Sequence, residues 1–211
     1  MTKIAPSILS GDFAKMGESV ANAEKWGADY IHCDVMDGVY VPNITFGMPM
    51  IKALRPYSTL PFDVHLMITE PEKYVEQFCD VGADIVTFHP EASKNVDATI
   101  DLIKSKGKKC GLVLNPDKNI NLLLPYLKKI DMIVIMGVYP GFGGQKFIPD
   151  VLGKVKVLKR IGFAGEIELD GGVTEDNAAG MVSYGVDVLV GGSSVFRSND
   201  PTSTIRRLKG Q

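Results

Sequence analysis

Gly27-Ala28-Asp29-Tyr30-Ile31, Gly82-Ala83-Asp84-Ile85-Val86 and Gly185-Val186-Asp187-Val188-Leu189 are three copies of one pattern. Each reads as a glycine closing a helix, a short turn, and entry into a buried strand. The steps from Gly27 to Gly82 and from Gly82 to Gly185 are close to two and four units of about 26 residues. That unit is an eighth of the 211-residue chain.

Short runs rich in Val and Ile alternate with longer amphipathic segments on either side of these copies. The runs are Ile4–Leu9, Tyr30–Val35, Phe62–Met67, Ile85–His89, Cys110–Leu114, Met132–Val138, Ile167–Asp170 and Val188–Gly191. Helical signals follow them: Pro71-Glu72 suits a helix start, and Thr174-Glu175-Asp176-Asn177 an N-cap with acids in the first turn. Eight strand–helix units with no linker or low-complexity segment predict an α/β fold, a (β/α)8 TIM barrel formed by residues 1–211 as a single domain. An open doubly wound sheet is the alternative, weakened because no G-x-G-x-x-G follows the first strand.

Composition narrows the function. The chain is 45% hydrophobic and 23% charged with a net charge of −2, so no basic surface for nucleic acid is indicated. The longest apolar run, Met132 to Val138, is far short of a membrane span, and the N-terminal MTKIAPSILSGDF does not read as a signal peptide. Three scattered cysteines (Cys33, Cys79, Cys110) outside any C-x-x-C pattern suit a reduced, cytoplasmic setting. A homo-oligomer is left open.

A barrel of this kind carries its active site at the C-terminal strand ends. Those ends are polar here: Ser7, His32, Asp34, His65, His89, Glu91, Asn115, Asp170 and Ser193. In His32-Cys33-Asp34 the outer two residues face one way and Cys33 the other; Asp63-Val64-His65 repeats the spacing in reverse. Each pair alone reads first as a core histidine hydrogen-bonded to a carboxylate. Two such pairs on adjacent strands, with Asp170 closing the seventh, need a compensating cation if buried together. Two imidazoles and two carboxylates would suit one divalent ion such as zinc, iron or manganese. Three glycine-rich stretches, Gly141-Phe142-Gly143-Gly144, Gly171-Gly172 and Gly191-Gly192-Ser193, follow strands six, seven and eight, where backbone N–H groups can approach a phosphate. Met36, Met67 and Met136 also sit at strand ends. They read equally as core filler or as an apolar cap over a reactive intermediate.

The segments Ala5-Pro6-Ser7-Ile8-Leu9, His32-Cys33-Asp34-Val35-Met36-Asp37-Gly38, Val41-Pro42-Asn43, Asp63-Val64-His65-Leu66-Met67, Pro140-Gly141-Phe142-Gly143-Gly144-Gln145 and Asp170-Gly171-Gly172 closely resemble ribulose-phosphate 3-epimerases, in order along nearly the whole chain. The resemblance implies a barrel of the ribulose-phosphate-binding type acting on a small phosphorylated ketose. It implies a metal held by His32, Asp34, His65 and Asp170, with Asp34 and Asp170 as opposed acid and base. Ser7 and His65 would contact the substrate; Gly141, Phe142, Gly143, Gly144, Gly172, Gly192 and Ser193 would hold its phosphate. The chemistry is redox-neutral, so neither nicotinamide nor flavin is expected. The chain departs from the common pattern at Val39-Tyr40, where many members have His-Phe, and at Gly137-Val138-Tyr139, where many have Ser-Val-Asn. His89-Pro90-Glu91 is reminiscent of the related allulose 6-phosphate 3-epimerases, which keeps a six-carbon substrate as the alternative. No central strand carries a Schiff-base lysine, and Asp34-Val35-Met36-Asp37 lacks the lysine of a D-x-K-x-x-D decarboxylase. A sugar-phosphate-binding barrel without activity would have no need of two acids and two histidines around one centre.

Overall fold

The computed structural model describes residues 2–211. Its strands are β1 Lys3–Pro6, β2 Ile31–Met36, β3 Phe62–Met67, β4 Ile85–Phe88, β5 Lys109–Leu114, β6 Met132–Met136, β7 Glu166–Asp170 and β8 Val188–Gly191. They pair in parallel in the order β1-β8-β7-β6-β5-β4-β3-β2. A single parallel bridge, Ser7 to His32, closes the seam between β1 and β2. The expected (β/α)8 barrel is the fold observed.

Outside the sheet lie α1 Met16–Lys25, α2 Met48–Leu54, α3 Val75–Asp80, α4 Val96–Ser105, α5 Leu152–Arg160, α6 Glu175–Ser183, α7 Ser193–Phe196 and α8 Pro201–Leu208. Their apolar stripes, for example Val20, Ile103, Val155 and Met181, pack on outward strand residues such as Cys33, Val64 and Ile133. Inward residues alternate with these and fill the barrel with Ala5, Tyr30, Ile85, Val113, Met132, Val134, Val188 and Val190. Thr174 precedes α6 as expected, its N–H donating to Asn177 Oδ1 at 2.8 Å.

Three differences from the sequence reading go beyond a one-residue shift at a strand end. The first run stops at Pro6, because the Ser7 hydroxyl accepts from Leu9 N–H and turns Ile8–Ser10 into a 3-10 helix. The sixth stops at Met136, where a Cβ on Gly137 would lie 2.3 Å from the Gly171 carbonyl oxygen. After β5 the chain makes two 3-10 turns, Ile120–Leu122 and Leu124–Tyr126, in place of an α-helix. Pro125 has no N–H to continue one.

The repeated Gly-x-Asp acquires a structural meaning. Gly27, Gly82 and Gly185 all have left-handed φ (91°, 120° and 105°), which lets the chain leave its helix and turn into the next strand. The aspartate then clamps the preceding strand. Asp29 Oδ2 accepts from Ile4 N–H (2.8 Å), Asp84 Oδ2 from Phe62 N–H (3.0 Å) and Asp187 Oδ2 from Ile167 N–H (2.9 Å). Asp131 does the same for Cys110 N–H at 2.8 Å. In each case the aspartate N–H returns a bond to the same residue's carbonyl. Each carboxylate also meets a cation: Lys209, Arg55, Lys159 and Lys104 respectively. The N-terminal end of the barrel is thereby tied, at every second strand, into reciprocal and charge-balanced pairs.

Candidate functional site

At the opposite end, inward positions turn polar. His32, Asp34, Asp63, His65, Thr87, His89, Asn115, Glu168 and Asp170 are all buried. The β2–β3 register sets His32 opposite Asp63 and Asp34 opposite His65. His32 Nε2 lies 3.4 Å from Asp34 Oδ1 and 3.6 Å from Asp170 Oδ2; His65 Nδ1 lies 3.5 Å and 3.4 Å from the same two oxygens. Four donor atoms from β2, β3 and β7 therefore surround one point, all within 4.8 Å of one another.

Those spacings are long for hydrogen bonds, and both nitrogens are buried without a hydrogen-bond partner. Donors about 2.0–2.2 Å from one ion stand about 2.8–3.6 Å apart at neighbouring positions. The unpartnered nitrogens, the spacing and the two-nitrogen, two-oxygen donor set all fit a divalent cation at this point. The cluster could hold a metal ion.

Electrostatics agree. Burial alone would pull His32 and His65 down, but Asp34 and Asp170, with Asp63 for His32, outweigh it and raise both imidazoles above their usual range. Burial would raise Asp34 and Asp170 likewise, and the two histidines hold both below the ordinary carboxylate range. The centre thus favours positive charge beside the two carboxylates, which a cation supplies directly.

A supporting layer holds these donors. His32 Nδ1 is 2.7 Å from Asp63 Oδ2, hydrogen-bond length, so Asp63 fixes the ring and its tautomer. Glu168 stands beside this pair, with Oε1 3.5 Å from His32 Nδ1. Burial and the charge of Asp63 push Glu168 well above the carboxylate range. Ser7 donates to Asp34 Oδ2 at 2.5 Å, and Thr45 Oγ1 donates to the Asp34 carbonyl at 2.6 Å. His65 Nε2 faces His89 Nε2 at 3.0 Å.

Above the cluster opens a cavity of about 620 Å³. Ser7, Asp34, Met36, Met67, Met136, Gly141, Phe142, Gly143, Gly144, Asp170, Gly172, Gly192 and Ser193, all expected site residues, line it. The three methionines are at most 4% exposed and form an apolar shelf beside Asp34 and Asp170. The glycine-rich loop after β6 is shaped from within by Gln145, whose amide donates to the Tyr139 and Phe142 carbonyls. Asn43 tethers it to the β2 side through the Gly141 carbonyl. A Cβ on Gly172 would lie 2.7 Å from Phe147 Cα, so that loop packs against the one after β7.

His32 and His65 do not line the cavity. Both are wholly buried, and the two nitrogens of His65 face the carboxylates and His89. Several residues escaped the sequence reading. Glu168 lies two before Asp170 and shares its face, a spacing that could have exposed it. Ser10, Asn177 and Arg197 line the cavity from positions outside any strand-end pattern.

The model of the ribulose-phosphate 3-epimerase family matches residues 3–196. A Bacillus subtilis ribulose-phosphate 3-epimerase is 46% identical over 217 residues, covering 100% of this chain and 99% of its own. The chain belongs to this family. An Escherichia coli K12 member is likewise 46% identical, over 99% of this chain and 95% of its own length. Among solved structures, KGPDC from Streptococcus mutans superposes with a TM-score of 0.77 at 16% identity, covering 100% of this chain and 96% of the other, a likeness of fold alone. No helix among the described residues is long and apolar enough to cross a membrane.

Proposed function

We propose that the chain inverts C3 of D-ribulose 5-phosphate to give D-xylulose 5-phosphate and the reverse, with Asp34 and Asp170 exchanging the C3 proton from opposite faces of the sugar. One observation carries this reading: the two carboxylates of the cavity lining come from β2 and β7 and face one buried centre. The names of relatives sharing 46% of the sequence over nearly their whole length support the substrate.

His32, Asp34, His65 and Asp170 would hold one divalent ion (zinc, iron or manganese), which when bound would polarise the C2 carbonyl and offset the charge of the enediolate. The ionised carboxylate accepts the C3 proton, and the other, protonated, delivers one to the opposite face. Reversal exchanges their roles. Ser7 keeps one oxygen of Asp34 engaged, so the remaining oxygen keeps a fixed direction. Met36, Met67 and Met136 exclude water from the intermediate. Backbone N–H groups of Gly141, Gly143, Gly144, Gly172, Gly192 and Ser193, with Phe142 among them, surround the phosphate, and the four-residue α7 starts at Ser193. Neither proton transfer changes oxidation state, so nicotinamide and flavin have no part.

His89-Pro90-Glu91 is the feature that would suit a six-carbon ketose. Initial rates on ribulose 5-phosphate and allulose 6-phosphate, measured on metal-depleted protein and after restoring zinc, iron or manganese, test both halves. Turnover should vanish on depletion, return with the ion, and favour the five-carbon substrate in kcat/KM. Full activity in metal-free protein, or a higher kcat/KM for allulose 6-phosphate, would overturn the corresponding half.

A further inference from the structure

We propose that His89 is a positioning residue of this centre: it accepts the Nε2 proton of His65 and so holds His65 Nδ1, with its lone pair free, toward the ion site. The inference rests on the metal reading above. It starts from a difference between the two ligand histidines. His32 gives its outer proton to a carboxylate, Asp63, the usual partner of a metal-bound imidazole. His65 has no carboxylate on that side. Its Nδ1 faces Asp34 and Asp170, and its Nε2 faces His89 Nε2 at 3.0 Å.

An imidazole that binds a cation through Nδ1 carries its proton on Nε2. The hydrogen bond His65 Nε2 makes is to His89 Nε2, which must then be the bare nitrogen of a neutral ring. The surroundings of His89 enforce that state. It is fully buried, so a charged ring there would have to do without water. Its Nδ1 has no hydrogen-bond partner, so no bond there stabilises a charge. The ring is also clamped. His65 lies against one side, with centroids 5.1 Å apart and planes 29° apart, and Tyr40 packs against it with centroids 4.8 Å apart. The Tyr40 hydroxyl is held by Asn115 at 2.8 Å and Glu91 at 3.2 Å. Pro90 follows directly and restricts the backbone of His89 to the extended form it shows (φ −80°, ψ 120°). A column of His65, His89 and Tyr40 thus ties one metal ligand to the loops after β2, β4 and β5. The hydroxyl belongs to Tyr40, one of the positions where this chain departs from the common family pattern.

Removing an outer partner of a metal-bound histidine costs about 10–100-fold in metal affinity. Zinc affinity is to be measured by competition with a chromophoric chelator on full-length wild type, His89→Phe and His89→Gln. His89→Phe should weaken zinc by about that factor, while His89→Gln, whose amide oxygen can accept the same proton, should recover most of the loss. Equal affinity in wild type and His89→Phe would overturn the inference and leave the metal reading standing; a wild type that binds no zinc would remove both. If His89→Phe does not fold, nitrogen NMR on zinc-loaded wild type decides. The expected signature is an Nε2–H on His65 coupled across the hydrogen bond to a bare Nε2 of His89. A proton on His89 Nε2 would overturn the assignment.

Discussion

The two ends of the barrel both gather charge, and they treat it in opposite ways. At the N-terminal end, Asp29, Asp84, Asp131 and Asp187 each accept a strand N–H, return their own, and face a lysine or arginine. Lys3, Tyr30 and Glu166 join there in a closed triad. At the C-terminal end, His32 Nε2 and His65 Nδ1 have no hydrogen-bond partner, and two carboxylates face them with no lysine or arginine between. A satisfied network stabilises the fold, whereas an unsatisfied one costs stability and persists where a ligand completes it. Loss at one end should therefore appear in stability and at the other in turnover.

The largest expected effect comes from the mouth. Asp34→Asn and Asp170→Asn keep size and one oxygen but remove the proton carrier, so kcat should fall by at least about 10²–10⁴-fold in both directions. Each variant should still exchange the C3 proton of one epimer with solvent deuterium, and the two should choose opposite epimers. Epimerisation at near wild-type rates in folded, metal-loaded variants would sink the two-carboxylate scheme.

Asp131→Ala breaks the other end. It leaves the Cys110 N–H without its side-chain acceptor and Lys104 without its partner. An unsatisfied buried donor costs about 1–3 kcal/mol, which urea unfolding should report while kcat stays close to wild type. Unchanged stability with a fallen kcat would erase the contrast between the ends.

The smallest effect is confined to alkali. Burial, reinforced by Glu166, pushes the Tyr30 phenol up to about 12. Its folded value exceeds the ordinary one of about 10. The stability this group contributes is complete below pH about 10 and is lost as pH rises toward about 12. Unfolding midpoints across that window should fall less steeply in Tyr30→Phe than in wild type. Identical slopes would show that the triad does not shield the phenol.

Much of this contrast is written in the chain. Period-two alternation shows that His32 and Asp34 share a face, and likewise Asp63 and His65, because successive strand residues point to opposite sides. The Gly-x-Asp copies mark three of the four basal clamps. Asp131 is preceded by Ile130 and lacks the glycine signature, so only its bond to Cys110 reveals it as the fourth. The apolar runs overshoot β1 and β6 because hydrophobicity does not report where Ser7 caps a turn or where Gly137 presses on Gly171. By itself the sequence determined the eight units, the polar strand ends and which side chains point inward, since these follow from local periodicity and turn chemistry. Tertiary structure alone decided that Asp170 reaches the same point as Asp34, that Asp63 serves His32, and that His89 stands behind His65. Those distances depend on how far each strand is staggered against its neighbours when the sheet closes, and a one-residue change in that stagger would turn the same side chains out of the barrel.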